Sequence, residues 1–424
     1  MSRSAVREYQ APGISVDQGC VLIPTEIGDP VRGPLSCPAA PLVGGTLQRK
    51  GRSVSYAPVP RCDDPAHDSD GAALFLVTCQ QADGGSVALA AAASPADRAA
   101  VAAARAAVQE WADVLGTRRL LAAASPLCGG ARRALQAVRG ATAQDEAQRR
   151  VHILGELACS PEDQAELAGR GTVFTASLRD VPDGDLVIIP AHGIAPEVRA
   201  EAAERGLQVV DATCPLVAGT QAEARRAAER GDHLVLIGRP DSPAAAGITA
   251  NAAEATVISS TASSTMVQVA DPRRVSYLLQ PGIPIEETQP AAAALQSRFP
   301  AIRPPNPDGF CYAAADRADT VRAVATGADV VLILGEPGSA DTRQLAALVR
   351  DCGSRAHTVA ASAEITAAML AGAATIGLTE SVTAAGHLAS LVISALSGLG
   401  PVSVARRQVS TTVAGQPVLS TTAS

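Results

Sequence analysis

The segment "QVVDATCPLV", residues 208–217, runs from an apolar stretch directly into a cysteine that is followed by a proline. A short apolar run bounded by turn residues predicts a buried strand, with Cys214 at its carboxyl end. Open α/β sheets carry their chemistry at the carboxyl ends of their strands. Cys214 is therefore predicted to be either a functional group at this edge or a small buried side chain.

The same arrangement occurs three times in the chain. In each copy an apolar stretch leads to a cysteine-bearing loop, a helix with a polar face and a further apolar stretch, and the cysteines are Cys128, Cys214 and Cys311. We predict parallel pairing of the strands around each helix, with the loops at one edge. Three such units around a pseudo-threefold axis would bring the thiols to one central point. Three buried core cysteines are the alternative.

Length and composition set further bounds. The chain has 424 residues, 47% of them apolar, which favours a globular protein of two to four domains. Its net charge of −7 provides no basic excess for binding nucleic-acid phosphates. No apolar run reaches the ~18 residues of a transmembrane helix, and the start of the chain lacks the apolar core of a signal peptide. We therefore expect a cytoplasmic protein without a nucleic-acid or membrane partner.

The nine cysteines include no CxxC pair, which excludes metal sites built from closely spaced ligands. Any metal site must be assembled from distant parts of the chain. Three thiolates leave a structural zinc site one ligand short. They match an iron–sulfur cubane in which three irons are anchored and the fourth is open to water or substrate.

The sequence from about residue 118 to 399 resembles the LytB or IspH family of 4-hydroxy-3-methylbut-2-enyl diphosphate reductases. The matching stretches are "DATCPLV", "PDGDLVIIPAHG", "ERGLQVVDATC", "HLVLIG", "RFPAI" and "FCYAAADR". The resemblance implies a trefoil of three α/β domains around a [4Fe-4S] cluster, with Cys128, Cys214 and Cys311 as its ligands. It also implies reductive removal of a hydroxyl group from a small molecule, with electrons from an external ferredoxin or flavodoxin.

We accordingly predict an α/β fold with three pseudo-threefold-related domains, parallel sheets and a small N-terminal α/β appendage. In that appendage Ser94 and Pro95 predict the start of a helix. The predicted regions are an appendage over 1–116, the trefoil over 117–399 and a tail over 400–424. The trefoil is divided into about 117–210 plus a C-terminal segment, 211–300 and 301–385.

The resemblance is incomplete around the substrate. The family holds its diphosphate with three histidines, and only the one in "PAHG", His192, is present here. Cys159 and Ser242 occupy the other two positions. Ala244 stands where the family has its proton-donating glutamate. The implied cluster ligands are thus retained, whereas the general acid expected at that place is absent.

Two further loops also differ from the family pattern at positions expected to bind the substrate. Pro281 and Gly282 replace a Thr-Thr pair, and the Ser-Ser-Asn loop of the family ends here in Asp341, whose carboxylate would repel an anion. The last family serine aligns with Thr383, which keeps a hydroxyl and, with Glu380, is predicted to open the last helix. The predicted substrate-binding residues are His192, Ser242, Ser339, Asp341 and Thr383. The predicted catalytic residues are His192, Cys159 and Thr383.

Several functions remain open. The first is an iron–sulfur oxidoreductase that binds the oxygen of a non-standard substrate at the open iron. Non-redox lyase chemistry, or sulfur transfer involving Cys159, fits the same architecture. A non-catalytic cluster protein or sensor, with Cys159 as fourth ligand, is the second function, and the ordinary diphosphate reductase is the third. Cys159 is otherwise a small apolar substitute in a reshaped pocket.

Overall fold

A computed structural model describes residues 5–63, 71–144, 150–384, 386–411 and 417–423. The chain divides into two compact units. The first unit comprises residues 1–124, 320–407 and 421–424, and the second comprises residues 125–319 and 408–420. Each unit therefore combines segments that are distant in sequence.

The N-terminal elements form a six-stranded sheet of order β1-β5-β6-β3-β2-β4, with two helices beside it. Its pairings are mixed, because β1–β5 and β5–β6 are antiparallel whereas β2–β4 is parallel. The elements up to residue 124 are β1 (Arg7–Pro12), β2 (Cys20–Asp29), β3 (Gly33–Ser36), α1 (Ala40–Arg49), β4 (Ser53–Val59), β5 (Gly71–Gln80), β6 (Ser86–Ala93), α2 (Arg98–Ala112) and β7 (Arg118–Ala123).

The predicted start of α2 is wrong by one turn. Asp97 is the N-cap, because its carboxylate accepts a hydrogen bond from the backbone N–H of Ala100 at 2.9 Å. Ser94 instead closes the preceding turn through its carbonyl, which accepts from the N–H of Asp97. Both residue types cap helices well, so the sequence alone did not distinguish between them.

The second unit alternates strands and helices in two parallel sheets, of order β11-β10-β8-β9 and β13-β12-β14. Its elements are α3 (Gly129–Gln144), β8 (Val151–Leu154), α4 (Pro161–Gly169), β9 (Thr172–Thr175), a 3-10 turn (Leu178–Asp180), β10 (Leu186–Ile189), α5 (Pro196–Glu204), β11 (Gln208–Asp211), α6 (Pro215–Glu229), β12 (His233–Ile237), α7 (Pro243–Thr249), β13 (Ala255–Ile258), α8 (Thr261–Met266), β14 (Val275–Leu279), α9 (Ile285–Arg298) and a 3-10 turn (Pro307–Gly309). The next helix, α10 (Ala313–Ala325), begins in the second unit and ends in the first.

The strands on either side of each cysteine loop do not pair with each other, so this prediction is wrong. β11 pairs with β10, whereas β12 pairs with β13 and β14, and α6 leads from one sheet to the next. In the third copy, a 3-10 turn replaces the strand that we predicted before Cys311. An apolar run predicts a buried strand but does not specify its partner.

The C-terminal elements complete a six-stranded sheet of order β16-β15-β17-β7-β18-β19. The segment 400–424, predicted as a tail, thus contains two strands of this sheet. The elements are β15 (Val330–Leu334), α11 (Ala340–Asp351), β16 (Arg355–Val359), a 3-10 turn (Ser362–Glu364), α12 (Ala367–Leu370), β17 (Thr375–Glu380), α13 (Leu388–Ser397), β18 (Val402–Thr411) and β19 (Pro417–Ala423).

The N-terminal residues share one hydrophobic core with this last sheet. The core includes Trp111 of α2 and Leu332 of β15, both fully buried. Gly45 of α1 approaches Ala363 so closely that an added Cβ would lie 1.9 Å from its carbonyl oxygen. Residues 1–116 are therefore packed into the first unit and do not form a separate body.

The α/β class with parallel sheets is confirmed, and the pseudo-threefold arrangement stays a prediction. Across the described ranges, every helix is too short or too polar to cross a membrane.

Candidate functional site

Each of the three predicted ligands lies at the beginning of a helix. Cys128 immediately precedes α3, Cys214 is the N-cap of α6, and Cys311 lies two residues before α10. The backbone N–H of Ala131 points to the sulfur of Cys128 at 3.4 Å. Backbone N–H groups at a helix N-terminus have no partner within the helix, so they can donate to a sulfur atom that lies there.

The three thiols are close enough to interact electrostatically within the second unit. Burial raises the pKa of Cys311, and charges on Cys128 and Cys214 raise that pKa further, whereas backbone hydrogen bonds from Ala313 and Gly282 lower it. A bound metal would therefore have to displace the Cys311 proton. The three helix N-termini thus meet at one group of thiols.

Gly130 allows two of the cysteine loops to approach each other. A Cβ built on Gly130 would lie 2.8 Å from the sulfur of Cys214, closer than such contacts occur. At Gly129, one residue earlier, an added Cβ would meet nothing within 4 Å. Glycine is thus required at residue 130 by the sulfur beside it and not by the helix.

The arrangement suits a cluster better than a single ion. Among the described residues, no three His, Cys, Asp or Glu side chains form a group that could hold one metal ion. In an iron–sulfur cubane each thiolate binds a different iron, so the three sulfurs stand apart. Three thiols that lie near one another at helix N-termini therefore fit a cluster.

The loops of His192 and Cys214 follow adjacent parallel strands. β10 and β11 are in register with Ile189 opposite Asp211. Beyond the strands, the N–H of Cys214 donates to the carbonyl of Ala191 at 3.0 Å. The structure thus holds His192 next to the Cys214 loop, as the sequence predicted.

His192 has one ring nitrogen engaged and one without a partner. Nδ1 lies 2.8 Å from the carbonyl oxygen of Gly193, and this contact requires a proton on Nδ1. Nε2 is buried and has no hydrogen-bond partner among the described residues. Gly155, at a φ of 96°, passes so near the ring that an added Cβ would lie 3.1 Å from Nε2. A ligand atom is the natural partner for such a nitrogen.

Gln221 connects this part of the site and was missed by the sequence analysis. It is buried in α6, and its Nε2 donates to the carbonyl of Ile194 at 3.2 Å. The same amide nitrogen lies against Gly193 and Gly247 of α7. A single glutamine on an otherwise polar helix gives no signal in the sequence.

Ser242 forms part of a hydrogen-bonded network at the start of α7. Its hydroxyl oxygen accepts from the N–H of Ala244 at 3.2 Å and from Nε2 of Gln280 at 3.0 Å. Oε1 of Gln280 in turn accepts from the N–H of Arg239 at 2.8 Å. The Ser242 oxygen is thus occupied as an acceptor, and its proton can be donated to a ligand.

The other predicted substrate residues form a cluster in the first unit. Ser339 is the N-cap of α11, and its oxygen lies 3.4 Å from that of Thr383. Asp341 Oδ2 accepts a hydrogen bond from the N–H of Val382 at 2.8 Å. The Asp341 carboxylate therefore engages a backbone N–H group that could otherwise donate a hydrogen bond to a bound anion.

Thr383 does not open the last helix, and this prediction is wrong. Glu380 ends β17, Thr383 lies in the following turn, and α13 begins at Leu388. The Thr383 hydroxyl is 2.9 Å from that of Ser381, which is fully buried. Burial raises the pKa of Glu380, whereas Arg406 lowers it, and the net pKa is above the usual value.

Cys159 has different neighbours from the three predicted ligands. It packs against the apolar cluster that contains Leu157 and Leu167. Burial raises the pKa of its thiol, with a further rise from Asp163 and a decrease from Gln164 and Arg139. The apolar neighbours of Cys159 match the packing role that the sequence analysis left open for it.

The chain is similar to known proteins over the same region. The sequence profile of the family described as LytB protein matches residues 120–397. The 4-hydroxy-3-methylbut-2-enyl diphosphate reductase 2 of Mycobacterium bovis is 35% identical over 297 residues, 69% of this chain and 90% of that protein. The corresponding reductase of Ralstonia nicotianae is 33% identical, over 67% of this chain and 88% of that protein.

Solved structures share the fold. The E-1-hydroxy-2-methyl-but-2-enyl-4-diphosphate reductase from Plasmodium falciparum gives a TM-score of 0.57 at 20% identity, covering 68% of this chain and 92% of its own. A structure of (E)-4-hydroxy-3-methyl-but-2-enyl diphosphate reductase gives 0.55 at 21% identity, covering 66% and 99%. The family resemblance drawn from the cysteine loops is therefore confirmed: the chain belongs to the LytB protein family.

Proposed function

We propose that this protein is an iron–sulfur reductase in which Cys128, Cys214 and Cys311 anchor a [4Fe-4S] cluster. The observation that carries the proposal is the proximity of three thiols that each lie at a helix N-terminus, with the Cys214 sulfur packed against Gly130. The relatives named as diphosphate reductases support the reaction class.

The proposed reaction removes a hydroxyl group from a small molecule. A cluster held by Cys128, Cys214 and Cys311 would supply electrons and a Lewis acid for the substrate oxygen. The overall change consumes two electrons and two protons: the C–O bond breaks, one hydrogen is added to carbon, and water leaves. The electrons come from an external one-electron carrier.

His192 is the proposed residue for orienting the substrate. Its buried Nε2 accepts a hydrogen bond from a substrate hydroxyl when the ring is neutral, because Nδ1 already carries a proton for Gly193. The hydroxyl of Ser242 provides a donor at the start of α7. Ser339 and Thr383 are proposed as further hydroxyl groups for substrate binding, and Thr383 also as a catalytic group.

We infer that the substrate carries less negative charge than an allylic diphosphate. At the positions of two of the family's three histidines, this chain has Cys159 and Ser242. The Asp341 carboxylate accepts a hydrogen bond from the N–H of Val382. Ala244 has no acidic group, and the loss of a general acid lowers the reaction rate about 10²–10⁴-fold. A monophosphate or an uncharged allylic alcohol fits these substitutions better.

A substrate panel tests this proposal. The protein is reconstituted anaerobically and reduced with dithionite and methyl viologen, and viologen oxidation is followed with 4-hydroxy-3-methylbut-2-enyl diphosphate, its monophosphate and its free alcohol. We expect faster turnover of a less charged compound than of the diphosphate. Diphosphate turnover equal to that of the Mycobacterium bovis relative would establish the ordinary reductase instead. No turnover of any compound by cluster-loaded protein would favour the non-catalytic function.

A further inference from the structure

A cleft of about 320 Å³ lies in the second unit between α5 and the sheet that contains β10 and β11. Val187 and Ile189 of β10 and Val209 of β11 line it from the sheet, and α5 contributes Ala202 and Ala203. β11 is an edge strand of this sheet. The two alanines carry only methyl groups, so the space between the helix and the edge strand is not filled.

The interior of the cleft is apolar. Leu154, Val187 and Ile189 at its base are buried, whereas Val209 on the edge strand is 38% exposed. Among the described residues that line the cleft, Arg199 and Asp211 are the polar ones. Ligand pockets are mostly apolar clefts of roughly 300–1,000 Å³ with a few polar groups. The cleft therefore has the size and the walls of a ligand site.

Arg199 and Asp211 form an ion pair at the mouth of the cleft. Their side chains meet at 2.7 Å and are 45% and 42% exposed. Their charges cancel, so an anionic head group would be repelled by the carboxylate and a cationic one by the guanidinium group. A hydroxyl group can donate to the carboxylate or accept from a remaining guanidinium N–H. The mouth therefore favours an uncharged polar head group.

The volume of the cleft sets the size of its occupant. An apolar cavity of about 150 Å³ binds benzene, which has six carbon atoms. The cleft has about twice this volume. It therefore fits a molecule of roughly ten to twelve non-hydrogen atoms.

We propose that this cleft binds an uncharged apolar alcohol of about ten carbon atoms. Its chain lies between α5 and the sheet, and its hydroxyl group lies at Arg199 and Asp211. None of the described residues that line the cleft is a cysteine, so the site is separate from the three thiols and goes beyond the proposed function. Asp211 lies three residues before Cys214, so the occupant would contact the strand that leads to this loop.

Calorimetric titration of the reconstituted full chain with geraniol, a branched ten-carbon alcohol, tests the proposal. Ala203→Leu and Val209→Phe each add carbon atoms to one wall of the cleft. The matched control is Ala200→Leu, at an exposed residue of α5 that does not line the cleft. Leucine and alanine both favour helix, so neither leucine variant should disturb α5. Circular dichroism checks that each variant is folded.

We expect wild type and Ala200→Leu to bind geraniol equally, and Ala203→Leu and Val209→Phe to bind it about tenfold more weakly or not at all, because the added groups occupy the space. Unchanged geraniol affinity in both cleft variants, or equal losses in Ala200→Leu, would overturn the proposal. So would the absence of geraniol binding to the wild type.

The head group is tested with two compounds that share the carbon chain of geraniol. Geranic acid and geranylamine are ionised at neutral pH, and we expect each to bind about tenfold more weakly than geraniol. Binding of either ion as tight as that of geraniol would contradict an uncharged occupant. The titrations need no turnover, so their result stands even if the protein fails the reductase assay.

Discussion

Asp211 fixes Thr213, the residue before Cys214, through two hydrogen bonds to one oxygen. Oδ1 accepts the N–H of Thr213 at 3.0 Å and its hydroxyl at 2.5 Å. Oδ2 binds Arg199 of α5 at 2.7 Å. Burial alone would raise the pKa of Asp211, but hydrogen bonds from Thr213 and Arg199 outweigh burial, so the pKa is lowered. The proposed ligand Cys214 is thus held by an ionised carboxylate three residues earlier.

Asp211→Ala should release this loop and weaken cluster retention. We expect the reconstituted variant to lose iron to a chelator several times faster than the wild type, because both bonds to Thr213 are lost. The control is Asp183→Ala, which breaks another 2.7 Å arginine pair in the same unit, to Arg205. Equal iron-loss rates in the two variants would show that Asp211 does not position Cys214.

Gly130→Ala should reduce cluster incorporation without unfolding the protein. The added Cβ would meet the sulfur of Cys214 at 2.8 Å, so that loop must shift. The matched control is Gly129→Ala, whose Cβ meets nothing within 4 Å and which should be neutral or stabilise α3 by up to about 1 kcal/mol. Iron and sulfide analysis after reconstitution measures the effect, and circular dichroism monitors the fold. Full incorporation in Gly130→Ala would contradict the assigned role of the glycine.

His192→Gln should lower kcat/KM about 10- to 100-fold while the cluster content stays the same, because a substrate hydroxyl loses its buried hydrogen-bond acceptor. The change removes the buried Nε2 that has no partner among the described residues. His233→Gln is the control, because His233 bonds Thr256 on the neighbouring strand. The measurement is turnover of the best compound from the substrate panel, normalised to iron. An unchanged kcat/KM would leave His192 as a structural residue.

Asp232→Asn should destabilise the second unit by about 2 kcal/mol at neutral pH, because two arginines lose a buried anionic partner. The folded pKa of Asp232 lies below its ordinary value of 3.8. Its contribution to stability is therefore complete above pH ~4 and is lost as the pH falls through the folded pKa. Urea unfolding of wild type and variant at a series of pH values checks this. A stability difference that persists unchanged at lower pH would contradict the explanation.

The sequence predicted strand positions well where apolar runs are continuous. "HLVLIG" contains β12, and "AALFLVTC" lies within β5. It did not predict which strands pair, because α6 joins two sheets and a local pattern carries no information about the partner strand. The shared core of Trp111 and Leu332 was missed for the same reason, since their contact is between distant segments.

The sequence pointed to several residues that the structure places near one another, and their roles stay predictions. The three cysteines were proposed because each lies in the same pattern of loop and helix, and His192 was proposed through "PAHG". Gln221 and Gly130 were missed because their roles come from close approaches to Gly193 and to the sulfur of Cys214. Such contacts exist only in the folded chain.

The most direct test of the central claim is the Mössbauer spectrum of protein reconstituted anaerobically with ⁵⁷Fe. Three cysteine anchors predict one iron that differs from the other three and whose signal shifts when a candidate alcohol is added. Cys159→Ser should leave this spectrum unchanged, because Cys159 packs in an apolar cluster. Four equivalent irons in the wild type, converted to a three-to-one pattern by Cys159→Ser, would contradict the open-site cluster and make Cys159 the fourth ligand.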